Sequence, residues 1–164
     1  MNCYLITKFN PINRVDGIYT IDEWTSFSDI GKEYQGKILT REDYLKTENA
    51  YLSVISYAIG QSNIKCRIAE YEALWKNNTN WYNGKMLSGS EALSFSRDCL
   101  RELCWGKLFG KHFFIHFGYD YYLYISSRLD CRLLENKVKD SGLFIEKKQS
   151  PYLNKIDWFR YYFT

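Results

Sequence analysis

Two histidines, His112 and His116, lie four residues apart in the stretch KHFFIHFGYDYYLYISS, residues 111–127. On a helix, this spacing would bring both imidazoles to one zinc ion. The stretch is dominated by aromatic residues, which favour strands, and a strand separates the two histidines by about 13 Å. The pair therefore cannot ligate one metal ion. We predict a β-hairpin over 111–127, with Gly118-Tyr119-Asp120 as its turn.

A single histidine could still carry out acid–base chemistry, and His116 with Asp120 is the pair that this hairpin offers. The chain has no G-x-S-x-G nucleophile motif, no phosphate-binding glycine loop and no H-E-x-x-H zinc motif. A hairpin tip is also exposed rather than enclosed. We therefore predict that the protein is not an enzyme, and we assign it no catalytic residue, metal ion or cofactor.

The aromatic strands raise the alternative of a nucleic-acid platform. Rings such as Phe113, Phe117 and Tyr124 could stack on bases. Such platforms carry interleaved Lys and Arg, because neutralising phosphates supplies most of the affinity. Residues 112–127 contain neither. A hairpin in the middle of a sheet, covered by helices, explains the stretch better.

Charge is distributed unevenly along the 164 residues. The net charge is −2 over residues 1–75 and +5 over residues 76–164, and the most acidic window, 16–48, has eight acidic and four basic residues. An imbalance of this kind can orient a charged partner. The basic half leaves open a second function, as a nucleic-acid-binding or RNA-processing domain. It would use Lys107, Lys111, Arg128, Arg132, Lys137, Lys139, Lys147 and Lys148.

The sequence predicts an α+β fold, a single domain over 1–164 with a mixed or antiparallel sheet and about three helices, in the order β-α-β-α-β-β-α-β. A strand over 3–9 precedes a long loop, 10–39, with a short strand at 17–21. The main helix spans 40–60. In a strand over 64–74 the alternation inverts near Glu70, which indicates either a bulge or the end of the strand. A second helix runs from Ser88 to about Trp105, and a third holds Leu134 and Val138. A strand over 143–147 is followed by an aromatic tail, 150–164.

The cysteines and the distribution of apolar residues lead to further predictions. The five cysteines contain no C-x-x-C pair, which favours buried thiols over zinc or disulfides. No apolar run reaches the roughly 18 residues of a membrane span, and the N-terminus MNCYLITKFN is not a signal peptide. We expect a cytoplasmic protein with no membrane contact. The aromatic tail is too apolar for solvent, so it packs on the body or forms a homodimer.

Four segments, DGIYTIDEWTSFSDIG, LTREDYLKTENAYLSVI, FGYDYYLYI and GLFIEKKQSPYL, resemble small bacterial toxin-immunity proteins, including those of contact-dependent growth inhibition. The resemblance covers most of the chain, from Asp16 to Leu153. It implies a cytoplasmic protein without catalysis that binds the toxin domain of a sibling cell, often a nuclease, and blocks its active site or substrate path. Immunity proteins against nucleases are typically acidic, whereas this chain is net basic.

Either the acidic window 16–48 then meets the toxin, or the toxin is not a nuclease. In the first case complementary charge speeds association, and aromatic residues dominate the interface energy. The alternative is that the acids serve the helix start and the rings pin the loop to the core. The predicted partner-binding residues are Asp22, Glu23, Trp24, Phe27, Asp29, Glu33 and Asp43.

Overall fold

The computed structural model describes residues 2–62, 65–74, 80–111, 113–127 and 131–153. Within these ranges, three helices pack on a mostly antiparallel sheet, which confirms the predicted α+β class. The helices are α1 (Arg41–Ser62), α2 (Gly89–Leu100) and α3 (Cys131–Asp140). None of the described helices is long and apolar enough to cross a membrane.

The strands, in chain order, are β1 (Asn2–Thr7), β2 (Arg14–Val15), β3 (Ile18–Tyr19), β4 (Glu33–Tyr34), β5 (Lys37–Ile38), β6 (Cys66–Ala73), β7 (Met86–Leu87), β8 (Cys104–Gly110), β9 (Phe113–Phe117), β10 (Leu123–Ser127) and β11 (Phe144–Lys147). Seven of them form the main sheet in the order β11-β1-β10-β9-β8-β6-β7, and every neighbouring pair is antiparallel. The pairs β2-β3 and β4-β5 are separate two-stranded hairpins.

Helix α1 begins where its sequence predicts. The Thr40 hydroxyl accepts a hydrogen bond from the Asp43 backbone N–H at 3.1 Å and donates to the Asp43 carboxylate at 2.9 Å. Such a cap satisfies one of the N–H groups that a helix start leaves without an intrahelical partner. One face of α1, with Tyr44, Tyr51 and Ile55, is then fully buried against the sheet.

The predicted hairpin is confirmed, with β9 and β10 as its strands and residues 118–122 as its tip. Successive side chains of β9 alternate between the two faces of the sheet. Ile115 and Phe117 lie in the core beneath the helices, whereas Phe114 and His116 face the opposite side, which we call the second face. His112 lies outside the described residues.

The predicted extent of the second helix is wrong. Helix α2 ends at Leu100, and residues 104–110 form β8, a strand that we did not predict. Its two glycines allow close packing rather than breaking a helix. A Cβ atom on Gly106 would lie 2.9 Å from Phe95, and one on Gly110 would lie 1.9 Å from Phe113.

The loop over 10–39 is ordered by local structure. It contains the hairpins β2-β3 and β4-β5 and two short 3-10 helices, Pro11–Asn13 and Phe27–Asp29. The predicted strand at 17–21 corresponds to β3. Of the two alternatives for residue 70, the structure has the bulge, because the β6-β8 register shifts between Ala69 and Glu72 and Glu70 has φ of 52°.

The C-terminal segment, residues 148–153, lies on the second face. The Ser150 hydroxyl is 2.8 Å from His116 Nδ1, and the Lys107 ammonium donates to the Tyr152 carbonyl at 2.6 Å. The Tyr152 ring meets Trp105 edge-on at 5.7 Å. The described start of the tail, residues 150–153, therefore packs on the body, and the rest of the predicted aromatic tail, 154–164, lies outside the described residues.

Candidate functional site

His116 is placed as a core residue rather than a catalytic one. Its side chain is fully buried on the second face, and its ring stacks on Phe114 with centroids 4.2 Å apart. Burial and, to a lesser extent, the nearby Lys107 ammonium lower the pKa of His116 to about 3, so the imidazole is neutral at pH 7. Asp120 is exposed at the hairpin tip. His116 and Asp120, the pair considered for acid–base chemistry, are therefore in different environments: one is buried and the other is exposed.

The aromatic rings of the hairpin strands are not exposed for bases to stack on. Of the rings considered for base stacking, Phe113, Phe117, Tyr121 and Tyr124 are buried and Tyr122 is half-buried. Most of the basic residues that the alternative nucleic-acid-binding function would use lie outside the strands of the hairpin. Lys111, Arg132, Lys139, Lys147 and Lys148 are exposed and Lys137 is half-buried, whereas Lys107 is buried and paired with Glu70 at 2.7 Å. Arg128 lies outside the described residues.

Two of the seven predicted partner-binding residues have local structural roles. The buried Asp29 accepts backbone hydrogen bonds from Thr25 and Ser26 and pairs with Lys32 at 2.8 Å. The pKa of Asp29 is lowered because these hydrogen bonds to the carboxylate outweigh the effect of its burial. The Asp43 carboxylate accepts a hydrogen bond from the Thr40 hydroxyl that caps α1, at 2.9 Å, and pairs with Lys37 at 3.1 Å.

The two predicted aromatic anchors pack on the core. Trp24 contacts Tyr44 and Tyr121, with ring centroids 5.5 and 5.3 Å away. Phe27 meets Tyr44 edge-on at 5.0 Å. Both rings are half-buried, so they fasten the loop to α1 and to the hairpin tip.

The three remaining acids differ in exposure. The Glu23 carboxylate pairs with Lys8 at 3.0 Å, and the Lys8 ammonium also lies 4.1 Å from the Trp24 ring centroid. Burial lowers the pKa of Lys8, and the Glu23 carboxylate acts in the opposite direction. The side chains of Asp22 and Glu33 are exposed and make no ion pair with a described residue. Asp22 therefore places an exposed negative charge next to Glu23 in the chain.

Asp22 and Glu23 lie together in a groove of about 590 Å³ between the loop and the hairpin tip. We call it the acidic groove. Its lining consists of residues 17–23 with Phe9, Thr25, Asp120 and Tyr122. Among the described residues it carries three carboxylates, those of Asp22, Glu23 and Asp120, and no basic side chain. Asp120 is about a hundred positions from Asp22 in the chain, so no local sequence pattern connects it with the acidic window.

Further negative charge lies near the groove. Glu102 is half-buried, and its carboxylate accepts a hydrogen bond from the Ser26 hydroxyl at 3.3 Å. Burial raises the pKa of Glu102, and the negative charges of Asp120 and Asp29 add to that rise. A carboxylate whose pKa is raised by burial and by nearby negative charges is stabilised in its charged form by an incoming cation.

A second groove, of about 650 Å³, lies on the other side of Glu23 and Trp24. It includes Asp43 from the predicted set. Its lining is not acidic overall, since Glu23 and Asp43 lie there with three basic residues, Lys8, Lys37 and Lys46. The acidic groove is therefore the better candidate for charge-directed binding.

Three exposed aliphatic residues, which we call the aliphatic rim, lie at the hairpin that forms one wall of the acidic groove. Ile12, Val15 and Ile18 are 82%, 60% and 71% exposed. Val15 and Ile18 face each other across β2-β3. We did not predict these residues from the sequence, although Asp16-Gly17 is a strong turn signal for a two-residue hairpin. Both turn residues have positive φ, 50° and 85°.

The wall is held in place by aromatic packing. The Tyr19 ring lies 5.1 Å from Phe9 and 6.4 Å from Tyr122, and Arg14 forms an ion pair with Glu146 on β11. The groove is thus built from the end of β1, the loop and the hairpin tip. Such preorganisation lowers the entropic cost of binding a partner.

Comparison with protein families, with curated proteins and with solved structures finds no match to this chain. Among the described residues, no group of three or more His, Cys, Asp or Glu side chains could hold a metal ion.

Proposed function

We propose that this protein is a cytoplasmic immunity protein, which binds a bacterial toxin domain and blocks its active site or substrate path. The resemblance to toxin-immunity proteins motivates the proposal. The observation that carries it is the acidic groove, which is lined by the exposed Asp22 and Asp120 and by Glu23, the partner of Lys8, and whose described lining includes no basic side chain. The partner that fits this groove presents Arg or Lys side chains.

A toxin that acts on an anionic substrate, such as a nuclease, would present these side chains. Its substrate groove must be basic to hold phosphates, and an acidic surface docked there would exclude the substrate. The net positive charge of the whole chain does not oppose this binding, because surface charges more than about 8–10 Å apart are largely screened at physiological salt. What matters is the local charge of the acidic groove.

The proposal also assigns roles within the site. The carboxylates of Asp22 and Asp120 speed association and set its orientation, while the aliphatic rim supplies apolar area that is removed from water. Trp24 and Phe27 hold the loop against the core. A homodimer through the aromatic tail stays a prediction, and sedimentation velocity of the free protein would detect it.

The direct test is co-expression of this chain with the product of the gene immediately upstream, followed by a pull-down and a growth assay. We expect that the upstream product alone stops growth, and that this protein binds it and restores growth. If no complex forms and growth is not restored, binding of RNA through the basic half becomes the leading function. It would weaken steeply with salt above about 50 mM.

A charge-reversal pair tests the groove itself. We expect Asp22→Lys with Asp120→Lys to abolish protection while the protein remains folded, because both side chains are exposed. This pair is cleaner than one that includes Glu23, whose reversal would also break the ion pair with Lys8. Glu72→Lys with Asp140→Lys is the matched control. It makes the same change in net charge at two exposed positions outside the lining, and it should still protect. Full protection by the first pair would refute the site.

A further inference from the structure

A third pocket lies towards the β7 edge of the main sheet, away from the acidic groove. It has a volume of about 450 Å³ and is formed by β6, β7 and β8 near the β7 edge. We call it the edge pocket. Its volume lies in the range that small-molecule sites occupy, roughly 300–1,000 Å³.

The floor of the edge pocket is largely apolar. Arg67 on β6 lies directly opposite Met86 on β7 and Phe109 on β8, so the three residues form one row across three strands. Ala69 and Phe109 belong to the small hydrophobic cluster of the second face. Met86 is 51% exposed, which leaves its thioether available to a ligand. Thioethers adapt their shape to flat apolar groups and pack favourably on rings.

The rim of the edge pocket is positively charged. Lys65, Arg67 and Lys111 line it, all three are exposed, and none of them forms an ion pair with a residue in the described ranges. The single described acid in the lining, Glu70, has its carboxylate 2.7 Å from the Lys107 ammonium. Positive charge therefore exceeds negative charge at this rim.

The polar side chains of the pocket are also biased towards donating hydrogen bonds. Arg67 and the two lysines have donors only. The Asn83 side-chain carbonyl accepts from the Tyr71 N–H at 2.8 Å, which leaves its amide N–H groups for a ligand. A site with donors and positive charge selects a ligand rich in acceptors and negative charge.

From these features we propose that the edge pocket binds a phosphate monoester with a planar apolar body, the chemistry of a nucleotide. A phosphate monoester carries close to two negative charges and three acceptor oxygens, which matches three basic side chains better than a single carboxylate does. The planar body would lie on Met86 and the apolar floor. This binding does not depend on the proposed function, because the acidic groove shares no lining residue with the edge pocket.

Calorimetric titration of the purified protein with adenosine monophosphate tests the proposal, with adenosine and inorganic phosphate as partial ligands. We expect saturable binding of the nucleotide with a Kd below about 1 mM, and at least tenfold weaker binding of either partial ligand. Arg67→Ala should weaken nucleotide binding by about tenfold or more, because it removes a charge-assisted bidentate contact. Lys139→Ala, at an exposed position on α3, should leave the Kd unchanged.

The Met86→Lys variant distinguishes nucleotide binding in the edge pocket from non-specific electrostatic attraction of phosphate. It adds a positive charge to the rim but removes the apolar contact, so a true nucleotide site is weakened by it, whereas non-specific phosphate attraction is strengthened. The proposal is overturned if the nucleotide does not bind at millimolar concentration. It is also overturned if inorganic phosphate binds as well as the nucleotide, or if Arg67→Ala and Lys139→Ala have equal effects.

Discussion

Arg101 holds the carboxylate of Glu48 with two hydrogen bonds, one from its Nε at 2.6 Å and one from its Nη2 at 2.9 Å. Glu48 lies on α1 and is 1% exposed, whereas Arg101 directly follows α2. The Arg101 guanidinium also lies over the Phe27 ring, 5.1 Å from its centroid. This ion pair therefore joins two helices to the loop that forms the acidic groove.

We expect Arg101→Leu to lower the free energy of unfolding by about 3–5 kcal/mol, because it leaves a buried carboxylate without its main partner. Arg97 also approaches Glu48, at 3.4 Å, but its side chain is 42% exposed. Arg97→Leu should therefore cost less than about 1 kcal/mol. Urea denaturation measures both values. Glu48→Gln in the Arg101→Leu background should recover part of the loss, and equal costs for the two arginine variants would contradict the assignment.

Trp24 is expected to matter for stability rather than for partner binding. Its ring packs on Tyr44 and Tyr121, so Trp24→Ala should lower the free energy of unfolding by about 2–4 kcal/mol. Where the variant is still folded, its affinity for the partner should stay within about threefold of the original value. Ile38→Ala, at a position that is 58% exposed, is the control for stability. A variant with unchanged stability and lost binding would restore Trp24 as an interface anchor.

Local signals in the sequence predicted much of this fold. The cap at Thr40 and Asp43 predicted the start of α1, and the alternation around Phe113–Phe117 predicted a strand with two different faces. An inversion of the alternation in β6 indicated either a bulge or the end of the strand near Glu70, and the structure has the bulge. In each case, the residues that determine the structure are neighbours in the chain.

Features that depend on distant residues could not be predicted in this way. Gly106 and Gly110 look like helix breakers in the sequence. In the structure, the rings of Phe95 and Phe113 lie so close to them that a residue with a Cβ atom would not fit in this strand. The acidic groove is similar. Its charged loop was predicted, but the contribution of Asp120 depends on the hairpin tip lying beside the end of β1.

The burial of His116 predicts a pH dependence of stability. Its pKa is about 3 in the folded protein and about 6.5 in an unfolded chain, so the unfolded state binds more protons between these values. Stability contributed by the neutral imidazole is therefore present above pH 6.5 and is lost as the pH falls. Between pH 7.5 and pH 5 we expect a loss of about 2 kcal/mol from this residue.

His116→Asn tests this expectation, because the asparagine amide does not titrate and can still reach the Ser150 hydroxyl. The variant is less stable at pH 7.5, since it loses the stacking on Phe114, but its stability should fall by about 2 kcal/mol less on going to pH 5. Urea denaturation of both proteins at the two pH values gives the difference. Parallel pH profiles would mean that another group causes the acid sensitivity.

The aliphatic rim should affect partner binding without affecting the fold. Ile18 is 71% exposed, so Ile18→Ser should change the free energy of unfolding by less than about 0.5 kcal/mol. In the complex, the same side chain is removed from water, and its loss should weaken binding of the co-expressed partner by about tenfold. Leu133→Ser is the matched control, because Leu133 is 53% exposed on α3, outside the acidic groove. Surface plasmon resonance on the captured partner compares the two variants. Equal affinities would show that the rim lies outside the interface, even if the carboxylates of the acidic groove lie within it.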